Sequence, residues 1–181
     1  PNQGSTCLGT DLNRNYAENW SISGTTTNPC GDTFHGASAG SELETQAVQN
    51  HINTFNGEFV SFVSVHTYGN YWLHPWGHQQ GGTCVRTSDH ADLFRVANAA
   101  ADAAAGAEND NNNWLRGNSC ETIYPASGLT IEYAYANGVK YSYTPELRGG
   151  RFDPPASAIG PSDNEFYAAI VAQMAAIEAI E

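Results

Sequence analysis

Residues 59–65, FVSFVSV, form an apolar run without clean alternation, and the run ends at His66. A strand with one wet face alternates polar and apolar side chains, whereas a strand covered on both faces reads as continuous apolar sequence. The run therefore predicts a central strand with layers packed on either side. Residues 139–147, VKYSYTPEL, predict a second strand.

Three segments carry helical signals. Ser41-Glu42-Leu43-Glu44 fits a capping box and precedes Ala47, Val48, Ile52 and Phe55 on one face. Asp89 opens a helix whose apolar face is Leu93, Val96, Ala97, Ala100 and Ala104, closing near Gly106. Ser162-Asp163-Asn164-Glu165 repeats the capping signature before Phe166, Ile170, Met174 and Ile177. Helices between strands predict an α/β layered domain, and no internal repeat or long linker divides the chain. Asn109 to Asn113, NDNNN, reads as an exposed loop. In such sheets ligands gather at strand carboxyl ends, where His66 and Glu146 both fall.

The 181 residues suffice for one domain with a substantial core. Seven basic against nineteen acidic side chains give a formal charge of −12, a field that repels phosphate backbones and anionic lipid. Neither nucleic acid nor a membrane is an expected partner. The chain opens at Pro1 without Met, hydrophobic leader or cleavage motif, as expected of a processed or excised product. Cys7, Cys30, Cys84 and Cys120 stand singly rather than as CxxC pairs, which favours disulfides over a metal cluster, and hence secretion to an oxidising compartment. Asn19-Trp20-Ser21 is a sequon that would permit N-glycosylation.

Four stretches carry polar groups that folding alone does not require: GTDLNRNY (9–16), SVHTYG (64–69), IYPASG (123–128) and TPELRG (144–149). Singly, each has an ordinary explanation. A strand-end histidine commonly makes a hydrogen bond, Arg14 could be a surface ion pair, and Tyr124 before a proline could anchor a loop. Glu146 is more demanding, because a carboxylate at a strand end must be solvated, paired or functional.

In order and spacing these stretches resemble the zinc metallocarboxypeptidases of the pancreatic carboxypeptidase A type. The resemblance runs from Cys7 to the last helix. It implies the C-terminal part of a three-layer α/β/α domain with a mixed sheet, so that residues 1–181 form a single partial domain. It places the substrate-carboxylate pair on Asn13 and Arg14, a zinc-binding histidine on His66, the mobile substrate-binding tyrosine on Tyr124 and the catalytic glutamate on Glu146. Tyr68 of VHTYG joins the substrate-binding set. The side-chain pocket has its floor at Ile131 and walls at Leu73 and Gly77, which implies a preference for C-terminal aromatic or large aliphatic residues; Glu132 lies one position away and would bring in a carboxylate if the register slipped. The resemblance pairs Cys7 with Cys30, leaving Cys84 and Cys120 as the second pair.

These residue types suit the implied chemistry. Catalytic zinc takes about three protein ligands and keeps one position open. A carboxylate can take a proton from attacking water and return it to the leaving amine, and an arginine fork can demand a free C-terminus on a peptide or protein substrate. Of the remaining histidines, His74 and His78 in HPWGH are separated by Pro75 and Gly77, which argue against a metal-binding helix and for loop contacts. His35 reads as structural, and His51 and His90 as solvent contacts.

The resemblance also has a limit. The family draws two further zinc ligands from an HxxE motif, and no histidine in these 181 residues is followed three positions later by glutamate. Those ligands are therefore expected from an absent N-terminal segment, itself a possible partner, and the chain alone is expected to be inactive. Pro145 removes a backbone donor and predicts an edge or bulge, and Gly149 stands where many family members have aspartate. Two other readings differ in class: a carboxylate-binding module that never holds metal, for which His66 and Glu146 would be superfluous, and a zinc amidohydrolase acting on acylated amino acids.

Overall fold

The computed structural model describes residues 5–108 and 112–181. In chain order the helices are α1 (Leu43–Thr54), α2 (His90–Ala107), α3 (Ser119–Thr122), α4 (Thr130–Ala136) and α5 (Ile159–Glu178). The strands are β1 (Ser61–Val63), β2 (His66–Thr67), β3 (Tyr71–His74), β4 (Gln79–Gln80), β5 (Thr83–Cys84), β6 (Leu115–Asn118) and β7 (Tyr141–Leu147). The fold is α/β with a mixed sheet: β7 pairs antiparallel with β3 and parallel with β2, and β3 pairs parallel with β6. The strand order is β1-β7-β3-β6. The NDNNN stretch lies partly outside the described residues, which omit 109–111.

The chain divides into two compact units. The first comprises residues 1–62, 75–86 and 119–142. Its core joins Ile52 of α1 to Tyr16, Tyr133, Ala134 and Val139, with Val48, one helical turn before Ile52, packed beside them. A smaller cluster of Ala126, Leu129 and Ile131 packs on Phe62. Both disulfides lie here, Cys7–Cys30 and Cys84–Cys120, closing sequence separations of 23 and 36 residues. In the chain-entropy account each loop closure stabilises by about 3–4 kcal/mol.

The second unit comprises residues 63–74, 87–118 and 143–181. Helix α2 buries Leu93, Val96, Ala97, Ala100, Ala101 and Ala104, the predicted stripe with one further alanine. The alanines let α5 approach closely, and α5 buries Ala169, Gln173 and Ile177. Gln173 is buried because its Oε1 accepts the Trp72 indole N–H at 3.1 Å, and Tyr143 likewise donates to the Leu93 carbonyl.

Several local expectations give way to long-range partners. The Ser41 hydroxyl does not cap α1, since it donates to Glu42 Oε1 and accepts from Asn15 Nδ2. Ser162–Glu165 does not open α5, which already begins at Ile159. The predicted strand over 59–65 shortens to β1, and Val65 falls in a break before β2. Pro145 is neither at an edge nor in a bulge: β7 is an internal strand, and on β3 Pro145 stands opposite Trp72. Its missing N–H is tolerated because β1 and β2 are interrupted between Ser64 N–H, which donates to the Tyr143 carbonyl, and the His66–Glu146 pairing. Gly149 has φ of 137°, a conformation that an aspartate rarely adopts.

Candidate active site

In the second unit, parallel pairing sets His66 of β2 directly opposite Glu146 of β7. Residues paired in this way point to the same face of a sheet. His66 Nδ1 lies 3.7 Å from Glu146 Oε1, an ion-pair distance too long for a hydrogen bond. The other ring nitrogen, Nε2, is 3.1 Å from the Ser64 hydroxyl. Both side chains remain partly accessible to solvent, at 29% and 17% exposure. Tyr68 follows β2 and meets the exposed Phe152 edge to face at 5.1 Å. Leu73 is buried on β3 opposite Thr144.

Arg148, two residues beyond Glu146, is committed elsewhere: its Nε and Nη2 donate to the two oxygens of buried Glu165 at 2.9 and 2.6 Å. Sequence patterning casts Glu165 as a capping residue and misses this pair. A fully buried carboxylate needs such a partner.

In the first unit, Asp11 caps the short turn Leu12–Arg14 by accepting the Asn13 N–H at 3.0 Å. Asn13 Oδ1 accepts both the N–H and the hydroxyl of Thr130, at 2.9 and 3.0 Å. With its oxygen engaged, the amide offers Nδ2 as donor. Arg14 is buried, its guanidinium held by main-chain carbonyls: Nε donates to Gly24 at 3.2 Å and Nη1 to Asn13 at 2.8 Å. Gly128, at φ +70°, lies so close that a Cβ there would overlap the Arg14 carbonyl. Tyr124 is exposed, while Ser127 anchors its loop by accepting the N–H groups of Ile22 and Ser23.

Ile131 is buried beside Leu129 and Ala126. Gly77 reaches the same segment, its carbonyl accepting the Ala126 N–H at 2.8 Å. Asn13, Gly77 and Ile131 are thus connected through α4 and the turn before it; His66, Tyr68, Leu73 and Glu146 belong to the second unit, where the sheet brings His66 and Glu146 together. The sequon does not present its acceptor nitrogen, because Asn19 Nδ2 is buried.

The loop contact expected of His78 has a specific partner. The partner is Glu132, wholly buried, whose Oε1 lies 2.8 Å from His78 Nδ1. Burial pushes the nearby Glu18 carboxyl above its usual range, the Glu132 charge pushes it further, and His78 pulls it back. An acid raised in the folded state contributes stability that is complete below its unfolded pKa and is lost as pH rises through its folded pKa. Glu18→Gln is therefore expected to raise Tm slightly at neutral pH and to leave it unchanged below about pH 4, where Glu18 is protonated in both states. A Tm lowered at neutral pH, or raised only in acid, would contradict this.

An imidazole and a carboxylate on neighbouring strands of a mixed sheet define an α/β protein with the makings of a hydrolytic site. Residues 1–169 match the zinc carboxypeptidase family, and the chain belongs to that family. It is 37% identical over 169 residues to mouse (Mus musculus) carboxypeptidase A4, covering 92% of this chain and 39% of the relative. It is 35% identical over 176 residues to a zinc carboxypeptidase of Simulium vittatum, covering 94% of this chain and 56% of the relative. The structure of bovine thrombin-activatable fibrinolysis inhibitor in complex with tick carboxypeptidase inhibitor matches with a TM-score of 0.92 and 29% identity, over 100% of this chain and 61% of that one. The chain thus spans between about two fifths and three fifths of the lengths of these relatives.

The family implies zinc, and His66 fits one position of its donor set. Zinc-ligating imidazoles are typically oriented through their second nitrogen, and here the Ser64 hydroxyl stands at Nε2. Among the described residues no three His, Cys, Asp or Glu side chains form a ligand group. No helix among them is long and apolar enough to cross a membrane.

Proposed function

We propose that this chain carries the general base, one zinc ligand and the C-terminus recognition residues of a secreted carboxypeptidase that removes aromatic or large aliphatic residues from peptides. The observation that supports this most is the register setting His66 opposite Glu146, within 3.7 Å. His66 would hold the zinc together with two ligands supplied from outside residues 1–181. When bound, zinc supplies Lewis acidity that polarises the scissile carbonyl and makes water a better nucleophile.

Glu146 does the proton work. As the water oxygen bonds to the carbonyl carbon, its proton passes to the Glu146 carboxylate. The same proton then goes to the amide nitrogen as the C–N bond breaks, so the amino acid leaves as a neutral amine. Asn13 and Arg14 bind the free carboxylate of the substrate, Asn13 through the Nδ2 left available by its bonds to Thr130. Tyr124, exposed on its loop, adds a phenolic hydrogen bond, and Tyr68 contacts the peptide. Ile131 and Gly77 line the side-chain pocket, and the neighbouring carboxylate of Glu132 is turned to the chain's own N–H groups. An unpaired Lys or Arg in such a pocket would be costly.

The test compares kcat/KM in the full-length protein for peptides that differ only at the C-terminus. Peptides ending in Phe are expected to exceed those ending in Arg by at least about 100-fold, and a C-terminal amide should be cleaved far more slowly than the free acid. A preference for Arg refutes the Ile131 assignment, and indifference to the amide refutes the roles of Asn13 and Arg14.

A further inference from the structure

The start of α4 ties three parts of the first unit together. Thr130 holds the Asn13 amide, Ile131 enters the apolar cluster, and Glu132 reaches back to the turn that follows β3. Glu132 Oε1 accepts the N–H groups of Gly77 and His78 at 3.0 and 3.2 Å and meets His78 Nδ1 at 2.8 Å. Its Oε2 accepts the Leu129 N–H at 3.3 Å. A carboxylate with no exposed surface is retained only where donors of this kind replace water.

The position that Glu132 holds is a tight one. A Cβ on Gly77 would overlap Leu129 Cδ1 and come 2.6 Å from the Ala126 carbonyl, so the bare main chain of residue 77 is itself a packing surface. Displacing that main chain by even part of an ångström changes the space beside Leu129 and Ile131.

We propose that Glu132 is a positioning residue for the side-chain pocket. Its carboxylate fixes the Gly77–His78 main chain relative to Ile131 and so sets the pocket's capacity for bulky apolar C-terminal residues. The proposal rests on the carboxypeptidase reading given above for Ile131 and Gly77. Glutamine is the informative substitution because it preserves volume but has one acceptor oxygen and one donor nitrogen. Either Leu129 or the Gly77–His78 pair then faces a donor in place of an acceptor, and one side of the tie opens.

In full-length Glu132→Gln, KM for a peptide ending in Phe is expected to rise about ten-fold, with kcat changed less than about three-fold and KM for the matching peptide ending in Ala nearly constant. Amide hydrogen exchange at Gly77 and His78 should speed up. His78→Leu, which leaves the main-chain donors in place and removes the imidazole, should shift KM for the Phe peptide the same way, by about three-fold. Equal KM changes for the two peptides, a loss confined to kcat, or unchanged KM for the Phe peptide would overturn the proposal. If the parent protein lacks peptidase activity, the carboxypeptidase reading fails, and unchanged exchange at residues 77 and 78 in Glu132→Gln would separately overturn the Glu132 tie.

Discussion

Glu146→Gln in the full-length protein is expected to keep the fold and the zinc while losing about 10²–10⁴-fold in kcat. The amide has nearly the same shape and still occupies the β7 position opposite His66 and Tyr71. It cannot accept the proton of an attacking water, so the step that links nucleophile formation to departure of the amine is lost. Zinc content should be unchanged, because the proposed mechanism makes Glu146 the base and His66 the ligand. KM should change little, since the substrate carboxylate is assigned to Asn13 and Arg14. Steady-state kinetics with metal analysis on the same preparation decide the matter. A zinc-loaded variant that hydrolyses at the parent rate would remove Glu146 from the mechanism.

The sequence suggests joining His66 and Glu146 because a strand over 59–65 would end at His66 and a strand over 139–147 near Glu146; the structure sets the two opposite each other, but His66 opens the short β2 rather than closing a longer strand. Helix α2 was legible: a stripe of Leu93, Val96, Ala97, Ala100 and Ala104 has few ways to be buried other than as a helix face. Capping went wrong where a distant residue competed for the same group. Ser41 and Glu42 look like the start of a capping box, but Asn15, 26 positions before Ser41, takes the serine hydroxyl. Glu165 looks like a capping glutamate, but Arg148 holds it in a bidentate pair. Pro145 looks like an edge residue because the interruption that accommodates it belongs to another segment, between β1 and β2. The Glu132 tie spans 54 and 55 residues to His78 and Gly77, and no local pattern reports it. Periodicity registers which face is buried; it does not register which polar group on that face has already found a partner.

Residues 1–181 purified free of any other polypeptide are expected to bind zinc far below one equivalent and to show no turnover. A catalytic zinc takes about three protein ligands, and its affinity comes from several donors converging with fixed geometry. His66 is the one residue of this chain assigned to the ion, and no HxxE pair occurs in the sequence to join it. The base at Glu146 would then have no activated water to deprotonate, even with its geometry intact. The sheet adds a second expectation. Strand β1 ends the strand order, and Val60 and Val65 on either side of it are 56% and 48% exposed, an apolar edge of the kind that pairs with another strand or aggregates. Low solubility should therefore accompany inactivity, and both should be relieved when the segment that supplies the remaining ligands is added back. The measurement is metal content and peptidase activity with added zinc, before and after that addition. Stoichiometric zinc with turnover from residues 1–181 alone would mean that the site is complete within this chain, and would overturn the assignment of the other two ligands to a segment outside it.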